Sequence, residues 1–420
     1  MATINGTDND DTLAGTIGAD AIFGFKGSDV IDGFEGDDAI DGGEGADAIF
    51  SGLGDDRVLG GQGFDRLFGG DGNDALEGGD DDDLVEGGDG ADSLRGDAGF
   101  DILFGGLGGD ALDGDDGGDE LFGGDGADEA RGGSGADFVF GGFGDDRLYG
   151  GDDGDLVEGG DGDDALWGEA GDDEMYGGLG LDALFGGDGN DALFGGDDAD
   201  QLDGGEGDDL VEGGDGDDGV AGGKGSDTLY GGFGDDALDG GEDADVLFAG
   251  DGLDLAHGRE GDDDLRGGLG DDRLWGGEDS DALRGEEGAD RLFGEQGSDR
   301  IEGGAGIDRL AGGADGDVFV FSRLAVDRDI VSDFQRGSDL IEISAALFGG
   351  GLQAGSSLDE GRVVAGAAPG ASVAGQGTFL FDTDDGRLLW DVNGATSGGR
   401  ALIATLQGVG DLAKDDFLIA

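Results

Sequence analysis

The sequence predicts an all-β fold: a right-handed parallel β-roll (a β-solenoid) of nonapeptide repeats, two repeats per coil, followed by a β-rich C-terminal cap. Three observations predict it. Aspartate falls on every ninth residue from Asp11 to Asp317 without a miss, which puts 35 in register. Two residues after each stands an apolar side chain, and only Ala130 and Ala256 are small. Glycine stands five residues before the aspartate in 33 units and two residues before it in 28. Composition alone does not keep three columns in step, and self-similarity at a fixed period marks a repeat architecture.

The unit is Gly-Gly-x-Gly-x-Asp-x-apolar-x, clean from Gly186 to Phe194. Three residues centred on the apolar one make a short strand with one side chain inward. The six glycine-rich residues make a tight turn, where positive φ is cheap only for Gly, Asn or Asp. The third glycine is replaced at Asn9, Asp81, Asp153, Asp198, Asp243, Asp279 and Asp315, always within that set. The first glycine is replaced only at Ser51 and Ala249. Two strands and two turns close a coil, and 35 half-coils at roughly 4.8 Å per paired strand stack to about 80 Å. A core of single-file Leu, Ile and Val is too thin to offset the ordering of so many glycines.

Charge makes the difficulty worse. Acidic residues number 105 against 21 basic ones, for a net charge of −84. Such a surface repels nucleic acid phosphates and anionic lipid, and by charge alone the chain would stay disordered. With 107 glycines but only one proline, Pro369, it is not collagen. No cysteine is present, so there is no disulfide framework and no thiol nucleophile.

Stacking turns two repeats apart sets like carboxylates one strand spacing from each other. On one edge stand Asp11, Asp29, Asp47, Asp65, Asp83, Asp101, Asp119, Asp137, Asp155, Asp173, Asp191, Asp209, Asp227, Asp245, Asp263, Asp281, Asp299 and Asp317. On the other stand Asp20, Asp38, Asp56, Asp74, Asp92, Asp110, Asp128, Asp146, Asp164, Asp182, Asp200, Asp218, Asp236, Asp254, Asp272, Asp290 and Asp308. Unneutralised, these ladders repel. Carboxylates and turn carbonyls are hard oxygen donors that suit Ca²⁺ better than Mg²⁺, so all 35 are candidate metal ligands. If each site needs two stacked turns, at most 33 ions bind, which would bring −84 to −18.

The nonapeptide and its repetition over residues 6–320 resemble the RTX (repeats-in-toxin) family of calcium-binding exoproteins. The resemblance implies that each ion is held by this aspartate from both turns together with backbone carbonyls. After Asp317 the composition changes: residues 321–420 carry 14 acidic and 7 basic side chains. Val318-Phe319-Val320-Phe321 begins a longer strand, and the alternation from Asp329 to Ile343 suits hairpins that close the end of the roll. That stretch resembles the cap that follows the repeats in serralysin-type proteins. Residues 345–376, rich in Gly, Ala and Ser, read as a loose connection. Further strands are expected at 378–382, 386–391 and 401–406. The ending Asp415-Asp416-Phe417-Leu418-Ile419-Ala420 resembles the uncleaved signal of type I (ABC-transporter) secretion substrates. Two domains are therefore expected: a calcium-binding roll over 1–320, and a capping and secretion-signal region over 321–420.

The N-terminus has no basic and apolar leader, and no run of about 18 apolar residues could span a bilayer. The register already holds at Ile4, which leaves no room for a catalytic domain ahead of the repeats. A single histidine, His257, and the lack of a Gly-x-Ser-x-Gly elbow point to a protein that is not an enzyme. Three residues after the aspartate an outward column is often aromatic, as at Phe50, Phe68, Phe104, Phe122, Phe140, Tyr149, Trp167, Phe185, Trp275 and Phe293. Packing between strands is favoured there over a stripe that stacks on a ligand. The expected function is a secreted, extracellular calcium-binding protein with a binding or structural role. Its expected partners are calcium, the type I ABC transporter during export, and a polysaccharide or protein of the cell surface. The alternative, a calcium-dependent membrane-active effector, sits poorly with the acidic exterior.

Overall fold

The computed structural model describes residues 2–323, 328–348, 352–355, 358, 363–366, 377–391 and 400–420. They fall into two compact units, Met1–Gly214 and Asp215–Ala420.

In the first unit a strand recurs every nine residues, and alternate strands pair in parallel. Ala39–Glu44 lies on Arg57–Gln62, with Ile40 opposite Val58 and Gly43 opposite Gly61. Ala48–Leu53 lies on Arg66–Asp71, with Ile49 opposite Leu67. Both steps are two nonapeptides long, so two parallel sheets share one coil of that length. The apolar column faces inward: Ile22, Ile31, Ile49, Leu67 and Leu103 are fully buried. The predicted class is the observed one.

The strands are longer than the repeat unit suggested. Three-residue strands occur at Thr3–Asn5, Thr12–Ala14 and Val30–Asp32, but most strands here run six residues. They continue through the first two glycines, and the second takes part in the ladder; Gly52, for example, lies opposite Gly70. The turn is thereby narrowed to the third glycine and its neighbours. Positive φ occurs at the third-glycine place in Asp81 and Asp153, as the turn chemistry requires, and also at the second-glycine place in Phe25, Phe34 and Glu169. A β-carbon added at Gly43, with φ +107°, would run into the carbonyl of Phe25. The second glycine therefore serves both backbone angle and close approach.

The second unit is built on the same kind of coil, as where Ala237–Glu242 lies on Gly219–Lys224. Beyond Asp317 the predicted hairpins over Asp329–Ile343 do not form. Asp329–Val331 pairs in parallel with Arg309–Gly313, setting Val331 against Leu310. Leu340–Ile343 pairs in parallel with Val318–Phe321, setting Ile341 against Phe319. The steps lengthen to 21 and 22 residues, and the extra residues are taken up between strands while the inward column is kept. Phe417–Ile419 extends one sheet from Leu340–Ile343, and Arg400–Leu406 extends the other from Asp329–Val331.

Thr378–Asp382, Arg387–Asp391 and Arg400–Leu406 form the three expected strands, and the structure pairs them antiparallel. They carry a core of larger side chains than the roll. Trp390, Phe379 and Phe381 are fully buried, and the Trp390 Nε1–H donates to the Phe348 carbonyl at 3.0 Å. Phe379 packs on Trp390 and on Phe417, with ring centroids 4.5 and 4.7 Å apart. Of the expected connection over 345–376, the structure describes a helical turn at Ala345–Phe348 and a strand at Val363–Gly366. Most of the remainder lies outside the described residues.

Candidate metal ladder

The register aspartates are not surface groups. Each one from Asp20 to Asp317 is at most 4% exposed, and only Asp11 is half-buried. The turn brings the carboxylate back over its own glycines, and the two oxygens then have different surroundings. Oδ1 accepts the N–H of the register aspartate one coil earlier. Asp47 takes it from Asp29 at 2.7 Å, and Asp254 takes it from Asp236 at 2.9 Å. Among the described residues, Oδ2 has no hydrogen-bond partner from Asp29 to Asp191 or from Asp236 to Asp299. One buried unsatisfied polar atom costs about 1–3 kcal/mol, more when charged. A whole column of them calls for a partner that is not part of the chain.

The first glycine of each unit supplies the space for one. At Gly105, the point a β-carbon would occupy is 2.5 Å from Asp110 Oδ2 and 2.5 Å from the Gly123 carbonyl oxygen. At Gly60 it is 2.5 Å from Asp65 Oδ2 and 2.6 Å from the Gly78 oxygen. In the second unit Gly267 faces Asp272 Oδ2 and the Gly285 oxygen in the same way. Calcium–oxygen distances are roughly 2.3–2.6 Å, so a cradle of that size lies between one carboxylate and the carbonyl of the next coil. Among the described residues no three His, Cys, Asp or Glu side chains converge on one point. The other oxygens near each such point are backbone carbonyls. The second turn's aspartate instead accepts the N–H of the first on its Oδ1, as Asp83 does from Asp65 at 2.7 Å.

Burial raises the carboxyl pKa along the ladder. Asp83, Asp155, Asp245 and Asp281 are each pushed up to about 8, led by desolvation. The N–H bond from the preceding coil opposes the shift, and neighbouring register carboxylates add to it; at Asp83 these are Asp65 and Asp101. Desolvation outweighs mutual repulsion, an ordering that a count of charges does not reveal.

The ladder has finished ends. Asp11 Oδ2 accepts from the Thr7 N–H at 2.6 Å and its hydroxyl at 2.8 Å. Thr16 does the same for Asp20, from its N–H at 2.7 Å and its hydroxyl at 2.8 Å. The Ala2 N–H and the Thr16 hydroxyl hold Asp20 below the ordinary carboxylate range. At the other end two residues outside the nine-residue register join the column. Asp329 Oδ1 accepts the Asp308 N–H at 3.3 Å, and Asp339 Oδ1 accepts the Asp317 N–H at 3.2 Å. Asp339 Oδ2 is satisfied by the Gln335 N–H at 2.6 Å.

A second, interrupted ladder runs where Asp or Asn stands just before a register aspartate, and it points the opposite way. The Asn73 N–H donates to Asp55 Oδ1 and the Ala91 N–H to Asn73 Oδ1, both at 2.9 Å. In the second unit the Leu253 N–H donates to Asp235 Oδ1 at 2.9 Å. The sequence signal was there, in the recurrence of Asp and Asn at that place.

The outward aromatic column stacks along the coils. Phe104, Phe122 and Phe140 lie 4.9 and 5.1 Å apart in near-parallel planes, and His257 lies 4.3 Å from Trp275. The faces of these rings cover one another, which is the packing role rather than a ligand stripe. Burial lowers the His257 pKa, helped by Arg259.

Fold and ladder together define a parallel β-solenoid of nonapeptide repeats with a buried carboxylate at each turn. The chain belongs to the RTX family: the model of the RTX calcium-binding nonapeptide repeat matches it in overlapping stretches from residue 5 to residue 319. It is thus a calcium-binding-repeat protein. Among solved structures it is similar to the solution structure of the AlgE6R3 subunit from the Azotobacter vinelandii mannuronan C5-epimerase. That match is 26% identical and covers 36% of this chain and 78% of that one, with a TM-score of 0.26. No curated protein matches the chain. Among the described residues no helix is long and apolar enough to cross a membrane.

Proposed function

We propose that this chain is a secreted protein whose repeats fold by taking up many Ca²⁺ ions outside the cell, and which then serves there as a binding or structural protein. The carrying observation is the buried Oδ2 without a partner beside a glycine cradle of calcium–oxygen dimensions, repeated along both edges. When bound, the ion supplies positive charge and six to eight oxygen-accepting positions. The register aspartates hold it through Oδ2 while Oδ1 ties each coil to the one before. The first glycines leave it room, and their carbonyls face it from the next coil. Thr7, Thr16 and Gln335 finish the ends without metal.

In this reading residues 1–320 are the calcium-dependent roll, and residues 321–420 close it and carry the type I export signal. Low cytosolic calcium keeps the acidic repeats unfolded for passage through the transporter. External calcium then folds them, since extracellular modules bind it with dissociation constants of roughly 10⁻⁴–10⁻³ M. Far-ultraviolet circular dichroism of the full chain tests the switch. A coil spectrum in chelator that becomes a β spectrum in millimolar calcium is expected. A β spectrum that persists in excess chelator at neutral pH and low salt would overturn it.

A further inference from the structure

We propose that Ser51 and Ala249 are plugs: each closes one rung of the ladder to calcium, one rung in each compact unit. The inference rests on the calcium reading above and assigns to two rungs a state different from the rest.

At every other unit the first residue is glycine, and the space its missing β-carbon leaves is the cradle itself. Ser51 and Ala249 put a real β-carbon there. Both residues are fully buried, so their side chains point into the structure and not to solvent. Neither has positive φ, so the backbone accepts a side chain at this place without strain. At Ser51 the blockage is double. Its hydroxyl donates to the Gly69 carbonyl oxygen at 2.8 Å. Gly69 stands one coil on, in the place from which the next coil's carbonyl faces every other cradle. The hydroxyl thus takes up the oxygen that an ion would need, and joins the two coils without one. Ala249 offers only a methyl group, so its rung is closed but not cross-linked.

The flanking rungs on the same edge stay usable. The cradle at Gly33 lies 2.6 Å from Asp38 Oδ2 and 2.5 Å from the Ser51 carbonyl oxygen. A backbone oxygen is unaffected by the side chain of its own residue. The cradle at Gly231 likewise faces Asp236 Oδ2 and the Ala249 carbonyl. Each plug therefore removes one ion rather than two.

The test counts calcium on the full chain by native mass spectrometry after titration to saturation. Ser51→Gly and Ala249→Gly should each bind one ion more than the parent, and the double variant two more. Ser51→Ala should bind the parent's number, since the β-carbon remains. As the converse, Gly105→Ala, at another non-positive φ, should bind one fewer. An unchanged count in Ser51→Gly and Ala249→Gly would overturn the inference, and so would loss of an ion in Ser51→Ala, which would make the hydroxyl a ligand. A parent chain that binds no calcium at all would instead overturn the calcium reading, and the plugs with it.

Discussion

Asp110 reaches back one coil to Asp92: its Oδ1 accepts the Asp92 N–H at 2.8 Å, while its Oδ2 rests beside Gly105 without a hydrogen-bond partner. One carboxylate thus does two jobs, a structural bond on one oxygen and a donor held ready on the other. Because Oδ1 is committed to the backbone, Oδ2 cannot turn away to solvent, and the donor is placed by the fold itself.

The division between the oxygens separates register acids from the rest. Changing Asp146, Asp164 and Asp182 together to Asn keeps an acceptor for the backbone N–H and removes the charge. Calorimetric titration should show about three ions fewer, with looser coils around Asp164. The same change at exposed Asp152, Asp161 and Asp188 should leave the ion count as it was. Equal loss from both sets would mean that overall acidity, not the column, binds calcium.

The raised carboxyl pKa values set a pH dependence whose sign is fixed by linkage. Without calcium the folded state holds protons that the unfolded chain, with carboxyls near about 4, releases earlier. Stability is then fully present below that range and is lost as the pH rises through about 6 to 8. In chelator the β spectrum should appear on acidification toward pH 4 and vanish by pH 8. Calcium uptake near pH 6.5 should release protons, measurable by titration in buffers of different ionisation enthalpy. A chelated chain whose fold is indifferent to pH would contradict this.

Glu169 occupies the second-glycine place at φ 77°, where a side chain costs roughly 1–2 kcal/mol. Glu169→Gly should raise the melting temperature of the calcium-loaded protein without changing its ion count. Gly106, at φ 117° and against the Gly88 carbonyl, should respond in the opposite way when changed to Ala. Thermal melts in saturating calcium decide both.

The last strands cover the open end of both sheets, since Arg400–Leu406 lies on Asp329–Val331 and Phe417–Ile419 on Leu340–Ile343. Deleting residues 400–420 should leave calcium binding by the first unit largely intact and trap the protein inside a strain with a working type I transporter. Normal extracellular yield would remove the export assignment.

The coil was legible because its three columns obey one period: Asp for the turn, Leu or Ile for the core, Gly for space. What lay beyond that period was not. Asp329 and Asp339 join the column after steps of 21 and 22 residues, so a nine-residue rule passes over them. Burial of the aspartates is a property of the stacked coils and leaves no mark on composition. The left-handed conformations of Phe34 and Glu169 run against residue preference, imposed by ladder neighbours on either side. The strands from Asp329 to Ile343 pair in parallel instead of as hairpins, because alternation fixes the face a strand buries, not the direction of its partner.

Anomalous diffraction from crystals of the calcium-loaded protein tests calcium ligation by the register aspartates most directly. Peaks are expected beside the first glycines, each between a register Oδ2 and the carbonyl of the next coil, with none beside Ser51 or Ala249. Peaks gathered instead on the exposed acids of the turn tips, with the register Oδ2 atoms uncoordinated, would contradict it.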